Sequence, residues 1–528
     1  MKIEILDTTL RDGEQGAGIE FSPDDKLKVI KALDELGVSY IEAGMITNES
    51  SARFFDSLRE LRTKNARLAV FTQTCKPGED PGCSELLKAA ARAPVPVATV
   101  YGKSWLYQVT EVLRTTPEEN LRLISSSIEY LYSSGKEVIF DAEHFFDGYS
   151  DSPEYAMSVV DTAFAAGASR VVLCDTNGGN LPDVIGLVCQ AVCEKHSNIG
   201  IHCHNDMGMA AACTVSAVLA GATHIHATVS GMGERCGNAN LNTVVPVLQL
   251  KMGFQCFGDK IKDLTRTARI VNECANATFD EKEPFVGGYA FTHKAGSHID
   301  GVIKSPRAYE QISPESVGNE RNLLISGLSG RSAVIEKMEN YLSGNGSGLT
   351  KDAPQVKKAL EVIKDREAKG YEFEDAGASL ALTIDDALGN RKSYFTLLGL
   401  KVIIDESGSI TGSDNEPFTA SAVIKISVDG KEYLTAGEGN GPVNAIDEAL
   451  RRALVRFYPE IASIKLTDYR VRVLDSRATA SSVRVSIETT DGVSVWRTIG
   501  VSRDVINASW QALRDSMEYM IRKTHESK

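Results

Sequence analysis

The chain has 528 residues, and its 71 acidic and 57 basic side chains give a formal net charge of −14. This acidic balance, without a cluster of Lys and Arg interleaved with aromatic residues, argues against nucleic acid as a partner. No apolar run reaches the roughly 18 residues of a membrane span, and the N-terminus lacks the pattern of a signal peptide. With 42% hydrophobic and 24% charged residues, the composition is typical of a globular protein with a large core.

The ten cysteines are scattered and include no CxxC pair. Cys189 and Cys193 stand four residues apart, on one face of a predicted helix, and we interpret them as two core thiols. The last third of the chain contains no cysteine, unlike a disulfide-stapled secreted protein. We therefore expect free thiols and a cytoplasmic location, with no membrane partner.

Short β-rich runs alternate with amphipathic helical patterns through the first half of the chain. A typical helical pattern covers residues 24–36, which Ser22 and Pro23 open and Gly37 closes. Eight strand–helix units of this size predict an α/β fold of the (β/α)8 TIM-barrel type. A doubly wound sheet is the alternative, but no GxGxxG follows the first strand. The predicted strands are residues 2–6, 40–43, 67–72, 97–101, 137–141, 170–174, 199–202 and 224–229.

Three domains are predicted: a catalytic TIM barrel over residues 1–275, a mainly helical connector over 276–388 and a C-terminal domain over 389–528. The connector contains a Gly/Ser-rich stretch at residues 343–349. The C-terminal domain contains a duplicated ββα unit, with strands at 394–404 and 420–435 before a helix at 442–457, then strands at 468–474 and 482–501 before a helix at 504–521. The repeat has no His or Cys, which favours dimerisation or effector binding over chemistry.

Five predicted strands end in polar segments, and active-site groups of TIM barrels project from the carboxyl ends of strands. His202 and His204 are two residues apart at the end of the seventh strand, so their side chains share a face. With one carboxylate they form a two-His-one-acid metal site that leaves positions open for substrate. An isolated HxH is more often structural, but Asp12 at the end of the first strand supplies the acid here.

Arg11, beside Asp12, supplies a cation that can stabilise developing oxyanion or enolate charge. A buried ion pair with Asp7 or Glu42 is the alternative, and the two roles are compatible.

A second HxH pair, His224 and His226, ends the eighth strand. We expect a core role for this pair, because one metal site already has enough ligands. Cys203 and Cys236 are interpreted as packing residues, since no base is evident for a thiolate nucleophile.

Three of these strand-end segments resemble the signatures of the DRE-TIM metallolyase family. They are DTTLRDGEQ (7–15), HCHND (202–206) and GERCGNANL (233–241). The tail segments GNGPVNA (439–445) and DYRVRV (468–473) are similar to the regulatory domain of the isopropylmalate and citramalate synthases of this family. The segments GKSW (102–105), FDAEHFFDGY (140–149) and LCDTNGG (173–179) look most like the bacterial citramalate synthase group. The resemblance therefore covers nearly the whole chain.

Carried over position by position, the resemblance implies Asp12, His202 and His204 as metal ligands, with Asn238 completing or supporting the shell. The family's usual metals are Mg or Mn, and two His with one Asp would also suit Zn. Arg11 would face the oxygen of a 2-oxo acid.

The resemblance also implies that Thr176 binds the carboxylate of the 2-oxo acid and that Glu143 is a catalytic acid–base residue. Residues 291–300 resemble the segment that contributes a catalytic His, so His298 and Tyr309 would complete the proton relay. His293 is the less favoured alternative for that His.

The family activity implied is an acyltransferase reaction, a Claisen-type condensation of acetyl-CoA with pyruvate that gives citramalate and CoA in isoleucine biosynthesis. A homodimer and feedback inhibition by a branched-chain amino acid, isoleucine, are implied with it. Three alternatives stay open: 2-isopropylmalate synthase, which differs in pocket size, a lyase that runs the reverse cleavage, and a catalytically silent effector-binding partner.

The sequence departs from the citramalate group at two places near the predicted pocket. Ala43, Gly44 and Met45 replace the usual Gly-Gly-Trp, and Gln108 stands where a pocket His is expected. An amide and an imidazole differ in charge options, so the identity of the 2-oxo acid is left open at this point.

Overall fold

The computed structural model describes residues 1–324, 353–374, 376–405, 419–474, 481–492 and 494–526. The chain forms two compact units, one of Met1–Phe291 with Gln311–Arg321 and one of Thr292–Glu310 with Asn322–Lys528. The domain boundaries at residues 275 and 388 stay a prediction. The Gly/Ser-rich stretch at 343–349 lies outside the described residues.

The first unit is a closed barrel of eight parallel strands in sequence order, with β1 pairing to β8. Leu6 of β1 lies opposite Tyr40 of β2 and His226 of β8. The TIM-barrel prediction is therefore confirmed, and every predicted strand is present. The strands are β1 Glu4–Asp7, β2 Tyr40–Met45, β3 Arg67–Gln73, β4 Val97–Lys103, β5 Glu137–Glu143, β6 Arg170–Asp175, β7 Ile199–Cys203 and β8 His224–Ala227.

The helices around the barrel begin and end at the predicted signals. At α1 the Ser22 hydroxyl accepts the N–H of Asp25, Pro23 is the first helical residue, and Gly37 ends the helix at a φ of 94°. The helices are α1 Pro23–Leu36, α2 Glu49–Ser57, α3 Glu85–Arg92, α4 Pro117–Ser133, α5 Phe145–Asp151, α6 Pro153–Ala165, α7 Pro182–Cys193, α8 Ala210–Leu219, α9 Leu241–Pro246 and α10 Leu264–Cys274.

Two hydrophobic layers hold the barrel. One lies between strands and helices, and a smaller one fills the barrel interior with side chains such as Leu6, Val97 and Val172. The interior layer makes a packed floor beneath the carboxyl ends of the strands. All ten cysteines are free; Cys189 and Cys203 are buried, whereas Cys236 is exposed, so its interpretation as a packing residue is wrong.

The second unit begins with a short parallel pair, β9 Thr292–His293 and β10 Asn322–Leu323. Helix α11 Gly296–Lys304 lies between these two strands in the chain, and α12 Pro354–Ala368 and α13 Gly377–Leu388 come after them among the described residues. They share a small apolar core that includes Ile299, Ile363 and Phe373. Among the described helices of the whole chain, none is long and apolar enough to cross a membrane.

The predicted C-terminal repeat is confirmed, but each unit has three strands rather than two. Strands β11 Thr396–Asp405, β12 Thr419–Val428 and β13 Lys431–Gly439 form an antiparallel sheet, covered by α14 Pro442–Leu454. Strands β14 Lys465–Val473, β15 Val483–Thr490 and β16 Val495–Ser502 form the second sheet, covered by α15 Val505–Glu526.

The extra strands arise because each second predicted strand is a hairpin. Asp429 and Gly430 both have positive φ angles, 49° and 76°, in the two-residue turn between β12 and β13. Such a turn matches the right-handed twist of two antiparallel strands. A longer turn at residues 491–494, with Gly492 at a φ of 86°, joins β15 to β16. The apolar alternation continues on both sides of each turn, and the prediction therefore merged the two strands.

Candidate active site

A cavity of about 220 Å³ opens at the carboxyl ends of the barrel strands. Six of the predicted site residues line it together: Arg11, Asp12, Glu143, Thr176, His202 and His204. Strand-end position in a barrel therefore brings six of the nine predicted site residues to one cavity.

The two histidines and the aspartate form the predicted trio. The Nε2 atom of His202 lies 3.5 Å from Asp12 Oδ2, and that of His204 lies 3.9 Å from the same oxygen. All three side chains are buried, and one ligand atom from each lies within 4.8 Å of the others. This is the spacing that a single cation can bridge.

The protonation states of the trio also suit a cation. Burial lowers the pKa of His202 to about 3 and lowers the pKa of His204. Burial alone would raise the pKa of Asp12, but Arg11 and the two imidazoles lower it to about 2. At neutral pH the trio therefore offers one carboxylate and two neutral imidazoles, the forms that bind a metal.

Asn238 stands beside this trio in the loop after β8. Its Nδ2 donates to the Met232 carbonyl at 3.1 Å, and its buried Oδ1 has no hydrogen-bond partner. The buried Oδ1 of Asp12 is also unpartnered. The loop turns at Gly237, the residue before Asn238, with a φ of 85°. Only glycine fits there, because a Cβ would lie 1.9 Å from the Gly231 carbonyl oxygen. Two orphaned oxygens beside two imidazoles fit a divalent cation.

Arg11 combines the two roles considered for it. Its Nε donates to Glu42 at 2.6 Å, its Nη1 lies 3.1 Å from Asp12, and its guanidinium stacks 4.0 Å above the ring of Phe71. Burial opposes the charge, but Glu42 and Asp12 raise the pKa of Arg11, which stays cationic. Arg11 is thus both a buried ion-pair partner and a cation at the cavity wall.

Two further predicted residues face the cavity from neighbouring strands. The Thr176 hydroxyl oxygen accepts the backbone N–H of His144 at 2.8 Å, which leaves the hydroxyl hydrogen free to donate. Glu143 pairs with the ammonium group of Lys103. A neutral donor and a carboxylate are therefore both present at the wall.

His298 and Tyr309 lie in the second unit and not in the barrel. Their rings stack at 4.7 Å between centroids, and both side chains are exposed. A Cβ at Gly301 would lie 2.2 Å from the Tyr309 ring, so the ring rests directly on that backbone. His293 is more enclosed, and its Nε2 lies 3.4 Å from the Glu310 carboxylate.

Six residues of the cavity wall were not predicted as site residues: Gln15, Phe71, Tyr101, Asp141, Cys174 and Glu234. All lie at the ends of barrel strands or in the loops after them, so the rule that located the histidines also covers them. Among these six residues, Asp141 has a carboxyl group whose pKa lies well above its usual range, because it is buried and close to Glu42.

The second HxH pair is fully buried below the cavity. His224 and His226 are 0% and 1% exposed, and neither lines the wall. Burial lowers the pKa of both rings, which are therefore neutral. Gln108, one of the departures, lies in a π-helical turn with its amide 3.4 Å from His144 Nε2, and it does not line the cavity.

Replacement of one histidine tests whether the trio binds a cation. We expect His202→Ala to weaken Mn²⁺ binding by more than about a hundredfold, because loss of a mere supporting hydrogen bond already costs about 10–100-fold. Titration of the full-length protein with Mn²⁺, followed by electron paramagnetic resonance, measures this.

His196→Ala is the matched control, since that imidazole pairs with Asp161 at 2.7 Å on the surface and should leave Mn²⁺ affinity unchanged. Circular dichroism should show both variants folded. Equal Mn²⁺ affinity of His202→Ala and the unmodified protein would remove the metal assignment.

Comparison with known proteins identifies the family. The HMGL-like family matches residues 2–271, the homocitrate synthase post-HMGL domain-like family matches 285–370, and the LeuA allosteric (dimerisation) domain matches 376–521. The (R)-citramalate synthase of Aquifex aeolicus is 45% identical, with 99% of each chain covered. Those of Synechocystis and Sulfolobus acidocaldarius are 42% and 43% identical, with 98% of this chain and 96% and 97% of theirs covered. The chain belongs to the HMGL-like family, in the branch of the (R)-citramalate synthases.

Proposed function

We propose that this protein is a divalent-metal-dependent (R)-citramalate synthase, which condenses acetyl-CoA with pyruvate to give citramalate and CoA. The observation that carries the proposal is the Asp12, His202 and His204 trio beside Arg11 in one small cavity. The full-length similarity to (R)-citramalate synthases supports the same reaction.

The wall of the cavity accounts for binding of a 2-oxo acid. Asp12, His202, His204 and Asn238 would hold a divalent cation, with Mg or Mn favoured and Zn compatible, and the bound cation would supply a Lewis acid for the 2-oxo carbonyl. Thr176 donates its free hydroxyl hydrogen to the carboxylate. Arg11 holds its guanidinium beside the keto oxygen, where negative charge develops.

The reaction requires one carbon–carbon bond and one hydrolysis. A base takes a proton from the methyl group of acetyl-CoA, and the methyl carbon then bonds to the keto carbon of pyruvate. The keto oxygen becomes an alkoxide, which Arg11 stabilises until it is protonated to the hydroxyl. Water then cleaves the thioester, which releases CoA and leaves the second carboxylate of citramalate.

We propose that Glu143 is the barrel residue that takes part in removing the proton from the methyl group of acetyl-CoA. Its carboxylate lines the cavity and is held by Lys103, within the wall that also contains Thr176. His298 and Tyr309 are proposed as further members of the proton relay on the family resemblance, and their stacked, exposed rings are available for that role. Proton transfer by a positioned group typically contributes about 10²–10⁴-fold in rate.

Two aromatic side chains of the cavity wall are placed to select among 2-oxo acids by size. Phe71 and Tyr101 stack at 5.3 Å with an angle of 12° between their planes and form an aromatic wall. The Tyr101 hydroxyl donates to Gln73 at 2.8 Å, which fixes that ring. We propose that this aromatic wall limits the size of the side chain that a bound 2-oxo acid can carry, and that it thereby favours pyruvate over a branched acid.

We propose that the C-terminal repeat binds isoleucine as a feedback inhibitor, in a cavity of about 550 Å³ between α14 and β14. Its apolar lining includes Val443, Ile464 and Leu466. Asp447 offers a buried Oδ1 without a hydrogen-bond partner, and Arg451 lies beside it at 2.7 Å. An apolar pocket with one carboxylate and one guanidinium is complementary to an amino acid with an apolar side chain.

We also propose a cytoplasmic homodimer in isoleucine biosynthesis. The match to the LeuA allosteric (dimerisation) domain supports self-association. Large exposed apolar side chains on the two C-terminal sheets, among them Leu398, Leu434 and Val473, support it as well. Ten free cysteines support a reducing compartment.

An assay of CoA release tests the proposed reaction. Acetyl-CoA is supplied with pyruvate, 2-oxoisovalerate or 2-oxoglutarate in parallel, with and without a chelator. We expect turnover with pyruvate to exceed turnover with the other two acids, and the chelator to abolish it. Preference for 2-oxoisovalerate would instead indicate a 2-isopropylmalate synthase, and absence of turnover with all three would contradict the proposal.

Enlargement of the aromatic wall tests the origin of the preference. Tyr101→Ala should raise the ratio of kcat/KM for 2-oxoisovalerate to that for pyruvate about tenfold or more, because one or two methylene groups are worth roughly 10–200-fold in such pockets. The exposed Tyr132 provides the control variant, Tyr132→Ala, which should keep the original ratio. A Tyr101→Ala enzyme with an unchanged ratio would show that another feature excludes the larger acid.

A single substitution tests the effector site in the full-length protein. Asp447→Asn should raise the Kd of isoleucine by about tenfold or more, since an amide replaces a buried carboxylate opposite the ammonium group, and should keep the uninhibited turnover. Glu448→Gln, at the exposed neighbour that pairs with Arg452, is the matched control. Isothermal titration with isoleucine measures both, and equal affinities would remove Asp447 from the effector site.

A further inference from the structure

Arg235 joins the loops that follow β6, β7 and β8. Its guanidinium makes a forked ion pair with Asp206, from Nε at 2.8 Å and from Nη2 at 2.9 Å. The same Nη2 donates to the backbone carbonyl of Thr176 at 2.8 Å. We call these three residues the rim clamp. One side chain thus connects three neighbouring loops at the mouth of the barrel.

The backbone around the rim clamp is shaped for this contact. Arg235 itself has a φ of 57°, a conformation that residues with a Cβ adopt at a cost. Gly178 follows Thr176 closely with a φ of 62°, and a Cβ there would lie 2.5 Å from Asp206 Oδ2. The loops after β6 and β7 therefore lie so close together at this point that a side chain at position 178 would clash with Asp206.

Thr176 is held from its other side as well. The backbone N–H of His144 donates to its hydroxyl oxygen at 2.8 Å, while Arg235 holds its carbonyl. The two contacts fix both the main chain and the side chain of Thr176. Neither contact uses its hydroxyl hydrogen, which is available to donate to a ligand in the cavity.

We propose that Arg235 and Asp206 are positioning residues for recognition of the substrate carboxylate, and that they act by holding Thr176 in place. The inference rests on the proposed function, because it takes Thr176 as the group that binds the carboxylate of the 2-oxo acid. It assigns a role in substrate affinity to two residues that do not line the cavity.

A purely structural role would have different consequences. The Arg235 side chain is 39% exposed and that of Asp206 26% exposed, and exposed ion pairs contribute little to stability. Loss of such a pair would leave the KM for pyruvate unchanged. A positioning role instead raises this KM and leaves the chemical step intact, since Arg11, Glu143 and the metal ligands are untouched.

A double-mutant cycle in the full-length, Mn²⁺-loaded enzyme tests the rim clamp. We expect Arg235→Gln and Thr176→Val each to raise the KM for pyruvate about tenfold, the usual worth of a hydrogen bond to a charged group, and Arg235→Gln to change kcat less than about twofold. The double variant should show about the same KM as either single variant, because the two residues act through one contact. Independent, multiplying effects would overturn the inference.

Two further variants separate geometry from charge. Arg235→Lys keeps a cation opposite Asp206 but cannot also hold the Thr176 carbonyl, so its KM should stay raised. A normal KM in Arg235→Lys would show that charge alone suffices and would contradict the rim clamp. Arg59→Gln, at an exposed arginine that pairs with Asp56, is the matched control and should behave as the unmodified enzyme.

The unmodified enzyme separates failure of the inference from failure of the proposed function. If it releases no CoA with any of the three 2-oxo acids, the proposed function fails and the rim clamp fails with it. If it turns over normally and Arg235→Gln has an unchanged KM, only the rim clamp fails. A loss of Mn²⁺ affinity in Arg235→Gln would also overturn it, because the clamp would then support His204 rather than Thr176.

Discussion

The buried ion pairs of Arg11 decide which acid in the barrel can bind a metal. Four carboxyl groups lie deep inside the barrel, on Asp7, Asp12, Glu42 and Asp141. Burial raises the pKa of Asp7 to about 7 and raises the pKa of Glu42 and Asp141. Only the pKa of Asp12 is lowered, because Arg11 and the two imidazoles lie beside it. Asp12 is therefore the one carboxyl group of the four whose surroundings favour the anionic form on balance.

The same guanidinium connects metal binding with chemistry. Arg11 forms ion pairs with Glu42 and Asp12, and it also forms part of the cavity wall. Its planar group rests on Phe71, so its position is fixed before substrate arrives. Preorganised charge of this kind needs no rearrangement when an alkoxide forms. Replacement of Arg11 would therefore disturb both the ligand and the oxyanion site, and the two effects would be difficult to separate.

The barrel and most of its site could be predicted from the sequence because both follow from short-range patterns. The alternation of strand and helix predicted the barrel, and strand ends indicated Asp12, His202 and Thr176. The cavity wall at Phe71 and Tyr101 was missed, since aromatic residues at strand ends look like core. The hairpins at Asp429 and Asp491 were missed because apolar alternation on both sides hides a short turn. The rim clamp depends on backbone approach between loops, which no local pattern encodes.

The proposed reaction depends on a divalent cation that the barrel holds and that the substrate can reach. The most direct measurement is anomalous diffraction from crystals of the full-length protein grown with Mn²⁺ and pyruvate. We expect one strong Mn²⁺ peak in contact with Asp12, His202 and His204. Asn238 should lie beside this peak, and the pyruvate carboxylate should contact Thr176. A peak at any other set of residues, or pyruvate bound without a cation at this trio, would contradict the proposed reaction.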